Sequence, residues 1–114
     1  MEVKDLSFGS ISVNGVNYEK DIIIDAGTVK KRKKAESKKY RDRFGHTPLS
    51  ANENIPWNCR YLVIGNGHNS AMPVMEEVYN AALRKGVKLI VINTPEAIKH
   101  INDPDTNFIF HLTC

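Results

Sequence analysis

Residues 61–73 read YLVIGNGHNSAMP, and the reading of this stretch decides the fold. Tyr61-Leu62-Val63-Ile64 is a short, uninterrupted apolar run. Such a run, bounded by turn residues, is the signature of a strand covered on both faces. Gly65-Asn66-Gly67 stops it. Beyond the turn, Ser70 or a neighbour can cap a helix, Pro73 suits a first helical turn, and Gly86 suits the stop. Val74, Val78, Ala81 and Ala82 recur at helical spacing, with Met75, Tyr79 and Leu83 widening the stripe. Residues 70–86 are therefore predicted as a helix.

The rest follows from that strand-turn-helix unit. VKLIVINT (87–94) is a second buried strand. Thr94-Pro95-Glu96 opens another helix, which Asp103-Pro104 ends. NFIFHL (107–112) is the last strand. A β-α-β-α-β order implies two right-handed crossovers between parallel strands, with helices covering the sheet. Toward the N-terminus, SISV (10–13) alternates polar and apolar residues. Asn14-Gly15 is a strong hairpin signal, because a type I′ turn needs positive φ at both central positions. VNYEKDIIID (16–25) is predicted as the return strand, adding to one side of the sheet, and Ala26-Gly27 breaks it. TVKKRKK (28–34) suits a lysine-blunted edge strand. AESKKYRDRF (35–44) has helix formers and a stop at Gly45, and residues 46–57 read as a loop.

Length and composition bound the class. A chain of 114 residues is expected to form one domain with one proper core. Apolar residues make up 41% and charged residues 25%, as in ordinary globular proteins. No apolar run approaches the ~18–20 residues that span a bilayer, so no membrane association is expected. MEVKDLSFGS lacks the apolar core of a secretory signal. Cys59 and Cys114 make neither a disulfide framework nor a zinc cluster, which points to reduced thiols and a cytoplasmic location. Lys30, Lys31, Arg32, Lys33, Lys34, Lys38, Lys39, Arg41 and Arg43 are nine of the sixteen basic residues, and the remainder of the chain is net acidic. This basic patch admits phosphate contacts. It lacks interleaved stacking aromatics and any known nucleic-acid motif, so nucleic acid is the least favoured partner. Tyr40 and Phe44 lie one helical turn apart and are expected to face the core, with the lysines outward.

The glycine turn has two readings. In an open parallel sheet, ligands sit beyond the carboxyl ends of the strands, and a helix start there favours an anion. The candidate pocket therefore comprises His46, Gly65, Asn66, Gly67, His68, Ser70 and Thr94. The simpler reading is a tight strand-to-helix turn with close packing. The specific fingerprints fail. A dinucleotide loop needs glycine where Ser70 stands and an acidic residue where Asn93 stands, and no Walker or GxSxG motif is present. No catalytic constellation, no metal set and no cofactor is called for. His111 reads as a satisfied strand histidine and His100 as an exposed one. Cys114 closes the sequence, where a neighbouring carboxylate would disfavour a thiolate.

Taken together, ISVNGVNYEKDIII, Gly45-His46, LVIGNG, INTPEAIKHIN and the final HLTC resemble the adipogenesis-associated Mth-domain family, which includes complex I assembly factor 3-like proteins. The resemblance spans roughly residues 8–114. It rests on a V-I-G-x-G turn, on Thr94 and Ala97, and on His111, Thr113 and Cys114. It implies an α/β fold in a single three-layer domain over residues 1–114. The mixed central sheet would have mainly parallel core strands and one antiparallel strand, plus the N-terminal β-hairpin. It implies no assigned reaction and suggests a non-enzymatic protein-binding or assembly module, its partner unknown. The lysine-rich segment at 30–39 departs from the family pattern and leaves a mitochondrial role unsupported. The alternatives are a binding domain or small enzyme for an anionic small molecule at the Gly65-Gly67 turn, and nucleic-acid binding through residues 30–43.

Overall fold

A computed structural model describes residues 1–114. Its elements, in chain order, begin with β1 (Val3–Ser7), β2 (Ser10–Val13) and β3 (Val16–Tyr18). β4 (Ile22–Asp25) and β5 (Thr28–Lys31) follow, then a 3-10 helix (Lys34–Tyr40) and α1 (Arg41–Phe44). The second half holds β6 (Tyr61–Asn66), α2 (Glu76–Lys85), β7 (Lys88–Ile92), α3 (Thr94–Ala97) with a 3-10 turn (Ile98–His100), and β8 (Thr106–His111). The result is a small mixed α/β fold with two sheets.

The larger sheet runs β5-β4-β8-β6-β7. β6 pairs parallel with both β7 and β8, as the apolar runs predict. β4 is antiparallel to β8 and to β5, so it opposes its four sheet-mates. Strand alternation sorts the core to two faces. Ile23, Leu62, Ile64 and Ile109 join Leu49, Met72, Val78 and Ala82 in one buried cluster, beneath α2. Ile22, Ile24, Val63, Phe108 and Phe110 join Ile11, Val13 and Ala97 in the other. The Ile22-Ile23-Ile24 run is thus buried because it feeds both faces.

Three expectations are corrected. Residues 16–25 are not one strand. The chain leaves β3 at Tyr18 and re-enters as β4 at Ile22, in a different sheet. β1, β2 and β3 form their own antiparallel sheet, with Ile11 and Val13 turned onto the face of the larger one. The Asn14-Gly15 turn has the positive φ values it needs, 51° and 82°. Second, the helix after the glycine turn starts at Glu76, not near Ser70. Residues 73–75 stay out of the helix because the buried Leu49 captures them in a parallel bridge at Val74. Leu49 N donates to Pro73 O at 2.8 Å and Met75 N to Leu49 O at 3.0 Å. Pro73 adds to this by disfavouring helical geometry at Met72. Third, residues 34–40 form a 3-10 helix in which Ser37 is the one buried residue. Tyr40 and Phe44 are only half-buried, and their rings carry the charges of Lys39 and Arg43 at 5.3 and 5.2 Å.

Candidate functional site

The carboxyl ends of the parallel strands carry a row of polar residues, and sheet register explains why. Ile22 pairs with Lys31 on β5 and with Phe110 on β8. One step toward the sheet end, the same register aligns Arg32, Asp21 and His111, and His111 pairs with Asn66 of β6. Arg32 N donates to Asp21 O at 3.0 Å, which confirms the alignment on the β5 side.

Arg32 is the only member of the basic run whose side chain is wholly buried. Its Nε and Nη2 donate to Glu53 Oε1 and Oε2 at 2.7 and 2.9 Å, the two-pronged geometry that a guanidinium allows and an ammonium does not. Its Nη1 donates to Asp21 Oδ2 at 2.8 Å, and its Nη2 also to Pro48 O at 3.1 Å. Ser37 Oγ donates to Glu53 Oε2 and lies 2.6 Å from Ser50 Oγ. Burial alone would lower the Arg32 pKa, but Glu53 and then Asp21 raise it above its ordinary value. The basic run is therefore not one solvated face. Arg32, the residue directly after β5, anchors the 46–57 loop to the sheet.

Asp21 joins this anchor to the histidine. Its Oδ2 lies 2.6 Å from His111 Nδ1, and its Oδ1 accepts from Leu112 N at 2.9 Å. Burial would raise the Asp21 pKa. The hydrogen bond and charge of His111, then Leu112 N–H and Arg32, outweigh it and hold the carboxyl below its ordinary value. An ionised Asp21 can only accept, so Nδ1 carries a proton, and in the neutral imidazole Nε2 is then the acceptor. Nε2 lies 3.2 Å from Thr113 Oγ1. His111 and Thr113 meet because extended chain puts residues two apart on the same side.

His111, Thr113 and Cys114 open onto a cleft of about 330 Å³ whose other walls are Lys34, Lys38, Arg41, Gly45, His46 and Thr47. Lys34, Lys38 and Arg41 take part in none of the ion pairs of the molecule. A larger hollow of about 790 Å³, around Asn58, Cys59 and Thr106, lies at the amino end of β6 and β8. It lacks such a convergence of cations. A hollow of about 620 Å³ shares Lys34, Lys38 and Thr113 with the smaller cleft and adds Lys20, Lys31 and Lys33 beside the carboxylates of Glu19 and Glu36. The smaller cleft is the one onto which His111 opens.

Among the residues of the predicted pocket, His46 lines this cleft and the others do not. A Cβ on Gly65 would come within 2.9 Å of Thr94 Oγ1 and 3.1 Å of Ala97 Cβ. Gly65 therefore serves the close approach of α3. Gly67, at φ 109°, lies so near residue 114 that a Cβ would meet Cys114 C at 2.2 Å. His68 N donates to Thr113 O at 2.8 Å, while Asn69 N and Ala71 N donate to Cys114 O at 2.9 and 3.1 Å. The amides that follow the glycine turn are thus spent on the chain's own residues 113–114. Thr94 Oγ1 accepts from Gly67 N at 2.9 Å and donates to His111 O at 2.6 Å, tying the turn to β8. His68 Nε2 lies 3.2 Å from Ser7 O, with its ring against Phe8, and Ser70 is exposed. Asn66 Oδ1 is buried without a partner. Burial raises the pKa of Cys59, as does Asp25, against a smaller opposing effect at Asn107 N.

Sequence reading missed Asp21 and Glu53, named Thr113 only among the residues of the family resemblance, and missed the joint role of Arg32 and His111. A signal existed for two of them. Arg32 is the lone arginine among the lysines of residues 30–34, and Asp21 directly precedes the buried Ile22. Glu53 sits in a loop and had none.

The fold and this end of its sheet define a small mixed α/β protein with a basic cleft beside the carboxyl ends of parallel strands. The chain belongs to the family described as protein of unknown function (DUF498/DUF598), which matches residues 3–103. No curated protein matches the sequence. Three solved structures share the fold. A conserved hypothetical protein, PH1505 from Pyrococcus horikoshii OT3, is 21% identical with a TM-score of 0.82, covering 100% of both chains. MT938 is 24% identical with a TM-score of 0.70, covering 98% of this chain and 97% of its own. An outer membrane protein from Bartonella henselae is 11% identical with a TM-score of 0.68, covering 98% and 94%. At these identities the likeness is one of fold. No helix is long and apolar enough to cross a membrane.

Proposed function

We propose that the protein binds a small anionic ligand in the cleft between the 3-10 helix, α1 and the end of β8. One observation carries the reading. Lys34, Lys38 and Arg41 converge with His46 and His111 on a single cleft, and the three cations lack carboxylate partners. Unpaired cations around a concave surface concentrate anions there. The ligand site thus lies beside the glycine turn, whose amides are engaged, and His46 is the residue the two locations share. Inorganic phosphate or citrate, at ionic strength matched with chloride, should raise the melting temperature, because a ligand of the folded state stabilises it by mass action. The K34A/K38A/R41A variant should lose that response. An identical shift in wild type and variant counts against the cleft.

A second reading is a protein-binding or assembly module, as the resemblance to the Mth-domain family implies. Tyr79 and Leu83 favour it, since they lie one turn apart on α2 and are 43% and 80% exposed. A photo-crosslinker at Leu83 should then trap a partner in the native host, whereas one at Lys99 should not. Both readings are compatible with one three-layer domain of cytoplasmic location, to which the free thiols of Cys59 and Cys114 lend support.

A further inference from the structure

We propose that the cleft is a hydrolytic site in which Thr113 is the nucleophile, His111 its general base, and Asp21 the positioning residue, acting on carboxylate-bearing esters of short acyl groups. The inference rests on the anion-binding reading of the same cleft.

Three observations meet here. First, Asp21 Oδ2, His111 Nδ1, His111 Nε2 and Thr113 Oγ1 form one continuous relay, with contacts of 2.6 and 3.2 Å. This is the acid–imidazole–hydroxyl order that activates a hydroxyl nucleophile, and such constellations are recognised by geometry rather than by sequence position. Second, the relay is held from behind. Arg32 pins Asp21, and Glu53 pins Arg32 with two hydrogen bonds. A fixed carboxylate keeps the imidazole in one tautomer, with Nε2 toward the hydroxyl. Third, the reacting end faces the cleft rather than the core, for His111 and Thr113 both line it. Nothing else in the molecule hydrogen-bonds to Nε2.

The chemistry balances with water as the only co-reactant. The Thr113 hydroxyl proton passes to His111 Nε2 as Oγ1 bonds to the ester carbonyl carbon. The tetrahedral intermediate collapses, the bond to the leaving alcohol breaks, and that oxygen takes the proton from Nε2. Water then gives a proton to Nε2 and attacks the acyl-threonine carbon, and Oγ1 leaves with that proton. The products are one carboxylic acid and one alcohol, with no redox change. The charged and titratable groups around His111 are Asp21 and Arg32 behind it, Lys34 and Lys38 on the 3-10 helix, Arg41 on α1, His46 in the next loop, and Cys114. The three cations of the cleft would hold the substrate carboxylate and favour the developing oxyanion.

The test uses the full chain with 4-acetoxybenzoate as the probe and its neutral methyl ester as the comparator. Release of 4-hydroxybenzoate should fall about 100-fold or more in H111N and T113V, the range for loss of a base or nucleophile. T113S should retain activity. Intact-mass analysis should show one acetyl group on wild type and none on T113V. Circular dichroism of H111N, whose Nδ2 can still donate to Asp21, separates lost chemistry from lost folding. If T113V cleaves the probe as fast as wild type, the inference is wrong. Binding of 4-hydroxybenzoate to the cleft with no cleavage of the probe would likewise overturn it, yet leave the anion reading standing. Equal cleavage of the charged and neutral esters, still abolished by T113V, would uphold the relay and remove the anion reading.

Discussion

Asp21 and His111, ninety residues apart in the chain, are joined through Oδ2 and Nδ1 at 2.6 Å across the β4–β8 pairing. The contact closes the end of the sheet, because Asp21 also holds Arg32 and Leu112 N. It makes stability depend on acid. The Asp21 pKa lies below its ordinary 3.8 in the folded state. Its contribution is therefore complete above the unfolded value and lost as pH falls through the folded one. Urea unfolding from pH 6 to pH 2 should show wild type losing stability below about pH 4. D21N, less stable at neutral pH, should lose less over that window.

Glu53 should be costly to replace. The E53Q variant removes one charge from a buried pair and leaves the Arg32 guanidinium short of a partner, a change worth about 3–5 kcal/mol. R32K should also destabilise, because an ammonium cannot reproduce the two-pronged contact with Glu53. Chemical denaturation at neutral pH measures both. Near-neutral values for both would mean that the 46–57 loop is not anchored through this pair.

Gly67 should tolerate no side chain. In G67A the new Cβ would sit 2.2 Å from Cys114 C, on backbone with φ 109°. Residues 113–114 would have to leave the turn, freeing the amides of His68, Asn69 and Ala71. Hydrogen exchange should show those amides losing protection, with stability lower by about 2 kcal/mol or more. In G65A the clash is with Thr94 and Ala97 instead, so the amides around α3 should loosen.

Leu83 gives the contrasting case. It is 80% exposed, and L83K should change stability by no more than about 0.5 kcal/mol. A clear loss would show that the α2 surface is covered in solution, in keeping with the assembly reading.

The parallel core was legible because Tyr61–Ile64 and Leu89–Ile92 carry their own pattern and their turns carry glycine, proline and an Asn93 cap that accepts from Glu96 N at 2.9 Å. The break between Tyr18 and Ile22 was not, because Glu19-Lys20-Asp21 has no turn residue stronger than the strand around it. Only docking of β1–β3 on the larger sheet demands the break. The helix start was misplaced for a similar reason. Ser70 and Pro73 are good local signals, but Leu49, distant in sequence, pairs with that segment and keeps it out of the helix. The cleft was half-legible. His46 and the lysines were in view, whereas the Asp21–His111 contact depends on sheet register, which no local pattern encodes.

The central claim, a basic cleft that takes an anion, is tested most directly by imidazole NMR during a titration with inorganic phosphate at constant ionic strength. The resonances of His46 and His111 should shift together with one saturable affinity, while those of His68 and His100 stay still. In K34A/K38A/R41A none should move. Equal, unsaturating shifts at all four histidines, or shifts unchanged in the variant, would contradict the account.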